Sequence, residues 1–177
     1  MLRRGVSFDG KSVNISGCSA ITTFAPFKGA KVVIADGLHI ADVSPLADCQ
    51  RVSLRYNHAV VDVSPLSKVD NLDISFTKVE DITPLWGVRF LTMDCCPKVP
   101  QYNLEALLKK WSNIPTRDVL DTVILWQNQA GLSLGDLLDL QEKEMGTPRF
   151  LRCGYNPHLE KPKRVSPLID MNMYKYV

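Results

Sequence analysis

A short phrase recurs along this chain: Val43-Ser44-Pro45-Leu46, Val63-Ser64-Pro65-Leu66 and Ile82-Thr83-Pro84-Leu85, with Phe24-Ala25-Pro26-Phe27 as a degenerate earlier copy. The four prolines step by 19, 20 and 19 residues. A unit that short cannot bury an apolar face alone. Neighbouring units must stack and share one core, so the period itself limits the fold to a repetitive array.

Between the phrases lies a second pattern, with apolar residues at positions one, four and six and a small polar residue at nine. Cys49, Val52, Leu54 and Asn57 fit it, as do Val69, Leu72, Ile74 and Thr77, and Val88, Leu91, Met93 and Cys96. Upstream copies read Gly10, Val13, Ile15, Cys18 and Gly29, Val32, Ile34, Gly37. Downstream, Leu120, Val123, Leu125, Asn128 and Pro148, Leu151, Cys153, Asn156 continue it at longer spacing. Positions four and six are two apart, so both side chains leave a strand on one face, which is the expected core. Position nine lies past the strand, where Asn, Thr or Cys can hydrogen-bond the backbone of a neighbouring coil. Gly37 at that position is a fault in the ladder.

The proline phrase belongs on the outer arc. Proline fixes its own φ and biases the residue before it toward extended backbone, which predicts a thin, extended wall with no room for a helix. The longer units have that room. Asn103 is the expected cap of a helix over 104–111, whose apolar stripe is Leu104, Leu107, Leu108 and Trp111. Ser133 is the expected cap of another, with Leu134, Leu137 and Leu138 as its stripe and Gly146-Thr147-Pro148 as its stop.

The pattern resembles the leucine-rich-repeat signature. Asp42-Val43-Ser44-Pro45-Leu46 and Asp81-Ile82-Thr83-Pro84-Leu85 make the short repeats similar to those of bacterial internalins and of short-repeat phosphatase regulators. The last two repeats look like the helix-bearing ribonuclease-inhibitor class. The resemblance implies an α/β fold: a right-handed solenoid over residues 1–156 with a concave parallel sheet. Its convex side is irregular in five short repeats and helical in two long ones, from about residue 103. Residues 157–177 form a cap or tail, with the basic run Lys161-Pro162-Lys163-Arg164 read as a solvated linker.

Positions three, five, seven and eight of each strand are expected to face away from the core. That places Arg51, Arg55, Tyr56, Asp73, Phe76, Phe90, Asp94, Trp126, Arg152 and Tyr155 on one concave surface. Exposed aromatics and arginines are the side chains that dominate binding hot spots. The expected activity is therefore non-enzymatic binding of a protein partner. The alternatives are a permanent subunit of a large assembly, such as a ribonucleoprotein or virion, or a regulatory subunit of a phosphatase or ubiquitin ligase.

Other function classes find little support in the residues. The chain has 21 basic and 19 acidic side chains, a net charge of +2, which is no electrostatic footprint for nucleic acid or a membrane surface. Hydrophobic residues make up 45%, enough for a packed core, yet no apolar run approaches a membrane span. Five scattered cysteines, an odd number, argue against a secreted disulfide framework and for a reducing intracellular setting, cytoplasmic or nuclear. The amino-terminal arginines make an organelle address a lesser alternative, against which Asp9 counts. No phosphate loop or dinucleotide fingerprint is present, so no cofactor, metal or small-molecule substrate is expected. His39 and His58 are read as solvated turn residues on neighbouring coils. Gly131-Leu132-Ser133-Leu134-Gly135 spells a nucleophile elbow, but Ser133 is read as a helix cap.

Overall fold

The computed structural model describes residues 7–8, 11–112, 122–125, 149–153 and 159. A short strand β1 (Ser7–Phe8) pairs antiparallel with β2 (Ser12–Asn14). From β2 onward all pairing is parallel: β3 (Val32–Ile34), β4 (Arg51–Ser53), β5 (Asn71–Asp73) and β6 (Phe90–Thr92) follow side by side in chain order. Val13, Val33, Val52, Leu72 and Leu91 stand level across these strands, and all are buried. The steps between them are 20, 19, 20 and 19 residues. One continuous core runs beneath the sheet, from Val13 and Ile15 to Leu151 and Cys153.

The register corrects the second repeat by one residue. Its buried positions are Ala30, Val33, Ala35 and Leu38, while Val32 and Ile34 are half-buried on the other face. Val32, Val33 and Ile34 are consecutive and apolar, so the run carries no alternation to reveal its phase. Pairing with Val13 and Val52 sets it. Gly37 moves to position eight and Leu38 takes position nine, where it adds no side-chain hydrogen bond; its backbone N–H donates to Asn57 Oδ1 instead.

The proline phrases are not extended. Each makes a 3-10 turn, at Ala25–Phe27, Ser44–Leu46, Ser64–Leu66 and Thr83–Gly87. Proline sits in the first or second position of the turn, where no intrahelical N–H is required. Asp42, Asp62 and Asp81 each accept the N–H two residues on, from Ser44, Ser64 and Thr83, which starts the turn. Thr23 does the same for Ala25. Leu46, Leu66 and Leu85 close these turns by pointing into the core. Consecutive turns stack so closely that a Cβ on Gly87 would collide with the Ser67 carbonyl.

Helix α1 (Gln101–Ser112) starts three residues earlier than its expected first turn. The Pro100 carbonyl accepts the N–H groups of Asn103 and Leu104, so Asn103 lies inside the helix and is not its cap. Its side-chain Nδ2 donates to the Glu80 carbonyl at 2.7 Å, tying the helix to the preceding coil. Leu104 and Leu107 are buried in the core. The expected helix after Ser133 and the tail lie outside the described residues, except that Leu159 joins the core.

The last two strands reverse the expected order. β8 (Arg149–Arg152) pairs with β6, and β7 (Thr122–Leu125) pairs with β8 from the far side. Leu151 stands level with Leu91 and is buried, with Cys153 beyond it. In β7 it is Ile124, not Val123, that registers with Leu151. A frame that fits both segments cannot say which one docks first; the long connections leave either order open, and packing decides it.

Candidate interaction face

Two ladders of side-chain hydrogen bonds hold neighbouring coils in register, one buried at position nine and one on the strand face turned away from the core. At position nine, Asn57 is fully buried. Its Oδ1 accepts the Leu38 N–H at 2.8 Å and its Nδ2 donates to the Ala35 carbonyl at 2.7 Å, both in the preceding coil. Cys96 takes the same place two coils on, its Sγ donating to the Ile74 carbonyl at 3.2 Å. Burial pushes the Cys96 thiol up to about 11, which keeps it a neutral donor. Thr77 instead donates to the Ile74 carbonyl of its own coil. Burial likewise raises Cys49, Cys95 and Cys153, so none of these thiols is primed as a nucleophile.

The second ladder runs through position seven. The Asp36 N–H donates to Ser16 Oγ, the Arg55 N–H to Asp36 Oδ1, and the Asp94 N–H to Ser75 Oγ. One rung is missing because the Arg55 side chain cannot accept a hydrogen bond. In that coil Asp73, at position five, supplies the acceptor: its Oδ1 takes the Ser75 N–H at 2.9 Å. Asn14 performs the same task for Ser16 at the start of the array. The carboxylates of this face are thus committed inward. Asp36 also accepts Ser53 Oγ at 2.6 Å, and Asp94 is only 4% exposed. Burial raises Asp73, opposed by its bonds to Ser75 and by the nearby Arg55 charge.

Position eight has a feature that the sequence pattern did not flag. Each coil leaves its strand through a turn over positions six to nine; in two of them position nine donates back to position six, Cys18 to Ile15 and Asn57 to Leu54. The third residue of that turn has positive φ: Gly17 at 67°, Gly37 at 69°, then Tyr56 at 60°, Phe76 at 61° and Cys95 at 51°. Its N–H donates to the position-seven carbonyl of the next coil, from Gly17 to Asp36 and onward to Phe76 with Asp94. Glycine suits such a position, whereas a bulky side chain there costs about 1–2 kcal/mol. Two coils use glycine and two place an aromatic ring. The visible signal was Gly17 and Gly37 recurring 20 residues apart, a spacing hidden by the misread frame of the second coil.

The two rings stack, with centroids 4.4 Å apart and planes 18° from parallel. Tyr56 is 45% exposed and Phe76 half-buried. The Arg55 guanidinium carbon lies 5.6 Å from the Tyr56 ring centroid. Its Nε is 3.8 Å from Asp73 Oδ2, beyond hydrogen-bonding range, and has no other acceptor. Arg51, Arg55, Tyr56, Asp73 and Phe76 therefore share one open region across β4 and β5.

Phe90 and Asp94 do not join it as exposed groups. Phe90 is 3% exposed, flanked by Asn71 of β5 and Phe150 of β8 in register, with Arg89 against its ring. Asp94 is enclosed because its N–H and carbonyl are both used between coils, by Ser75 and by Phe76. Arg152 is placed by its backbone on β8, level with Thr92, while Trp126 and Tyr155 lie outside the described residues. His39 and His58, each one residue past position nine, are both exposed. Among the described residues no group of three or more His, Cys, Asp or Glu is placed to hold a metal, and no helix is long and apolar enough to cross a membrane. No protein-family model matches the chain, and no curated protein matches it.

Proposed function

We propose that the chain is a leucine-rich-repeat solenoid that works as a non-enzymatic protein-interaction module, intracellular, with its partner bound on the open sheet face. The observation that carries this reading is the Tyr56–Phe76 stack on left-handed backbone. The turn at position eight asks for glycine, and two earlier coils have it. Holding two rings there, partly in water, costs folding energy with no return from the core. Rigid aromatics beside an arginine are what a binding hot spot requires.

Capture from the native cell extract, comparing the wild type with a Tyr56→Gly, Phe76→Gly variant, tests the reading. A protein retained by the wild type and lost from the folded variant supports it. Identical retention by both would move the partner off this face.

A permanent subunit of a larger assembly is the second reading. It draws on Trp86, 50% exposed, and Tyr102, 70% exposed, which give the turn side and α1 apolar surface of their own.

A further inference from the structure

The chemistry around the stacked rings narrows the partner, granted that the open face binds protein. Around the rings the available charge is positive. Arg51 and Arg55 stand at positions three and seven of the Tyr56 coil. The chain leaves the Phe76 ring through Lys78, two residues beyond it, which is exposed. The acids of the same face are turned inward: Asp36 accepts the Ser53 hydroxyl and the Arg55 N–H, Asp73 accepts the Ser75 N–H and lies 3.8 Å from Arg55, and Asp94 is enclosed. The freely exposed acids Asp42, Asp62 and Asp81 begin the 3-10 turns on the opposite side.

Arg55 is the cation set against the stacked rings. Its side chain is 42% exposed and leans on the Tyr56 ring. Its buried Nε–H has no hydrogen-bond acceptor: Asp73 Oδ2 pairs with it by charge alone at 3.8 Å, while Oδ1 takes the Ser75 N–H. A guanidinium so placed, one edge on an aromatic ring and its donors incompletely used, is suited to a carboxylate brought in by a partner.

We propose that the Tyr56–Phe76 stack with Arg55 receives an acidic segment of a protein partner, whose apolar side chain packs on the rings while an adjacent carboxylate pairs with Arg55. A nucleic acid also stacks on exposed rings, but it needs a track of cations along its backbone. Here the positions beside Arg51 and Arg55 in the next coil are the uncharged Asn71 and Ser75, so a phosphate chain would find its cations in one coil only. A single carboxylate beside an apolar group fits the arrangement better.

The test is fluorescence anisotropy with short fluorescein-labelled peptides that alternate Glu with Leu and Phe. Their Gln-for-Glu and Lys-for-Glu counterparts and a labelled oligouridylate serve as comparisons. The Glu peptide is expected to bind roughly tenfold or more tightly than the Gln peptide, with added salt narrowing the gap. Arg55→Gln should abolish that preference while leaving the Gln peptide's affinity in place. The Tyr56→Gly, Phe76→Gly variant should lose both peptides, with a thermal midpoint no lower than that of the wild type. Equal affinity for the Glu and Gln peptides, both dependent on the rings, overturns the acidic partner and leaves the protein-binding reading standing. Ring-dependent binding tightest for the oligouridylate overturns the choice of a protein partner. Peptide binding indifferent to both variants overturns the site, and native capture then judges the broader reading separately.

Discussion

At the scale of single residues, Asp73 shows how one substitution in a ladder is compensated by another. Arg55 interrupts the position-seven acceptors, and Asp73 supplies the missing one from position five, as Asn14 does in the first coil. The carboxylate charge is not needed for that bond. Burial raises the folded pKa of Asp73, so the charged form costs stability at neutral pH and the cost fades as pH falls through the raised value. Asp73→Asn keeps the acceptor and removes the charge. Its urea midpoint at pH 7 should equal or exceed the wild type's, and the difference should shrink on acidification. Asp73→Ala removes the acceptor and should cost about 1 kcal/mol at acid pH, and less at pH 7, where it also removes the costly charge. A neutral Asp73→Ala in urea titrations at acid pH would show that the Ser75 N–H finds another partner.

At the scale of elements, the turn side depends on the aspartates that open the 3-10 turns. Their bonds to Ser44 and Ser64 lower Asp42 and Asp62 below the usual carboxylate range. A lowered folded pKa gives stability that is present above the unfolded value and lost as pH falls through the folded one. Asp42→Ala with Asp62→Ala should therefore lower the thermal midpoint at pH 7. The gap to the wild type should narrow as pH falls through the lowered folded values and the wild-type carboxylates become protonated. A gap that persists unchanged at pH 2 would mean that the aspartates act through packing and not through charged hydrogen bonds. The same turns show how far propensity carries an argument. Proline was read as keeping the wall extended, yet its fixed φ also suits the first turn of a helix. The aspartate two residues before the capped N–H tips the choice.

At the scale of the whole molecule, stability belongs to the stack and not to any coil. Val52, Leu72 and Leu91 share one core with the residues that close the turns, and no single coil encloses its own apolar side chains. Leu54→Ala, in the third coil, should cost about 3–5 kcal/mol. It should also leave one cooperative transition, with circular dichroism and tryptophan fluorescence giving the same midpoint in denaturant. Two separated transitions would mean that the coils on either side of Leu54 unfold independently.

The sequence by itself determined the period, the core positions of four of the five short coils, and the place of position nine as a hydrogen-bonding column. These are local facts: a buried pair two residues apart and a small polar residue three beyond it are visible wherever alternation is clean. Only the tertiary structure decided the phase of 32–34, because an unbroken apolar run looks the same in either register until Val13 and Val52 flank it. Only it decided that β8 docks on β6 ahead of β7, because both segments carry a usable frame and pairing energy alone separates them. The candidate face divided in the same way. Side-chain type and strand parity pointed to Arg51, Arg55, Tyr56, Asp73 and Phe76. The enclosure of Phe90 and Asp94 depends on neighbouring strands and stacked turns, which no single strand's pattern contains. The left-handed backbone beneath Tyr56 and Phe76 was equally out of reach. Its cause is a turn geometry imposed by stacking, under which the chain accepts strain at two rings where glycine would have folded without it.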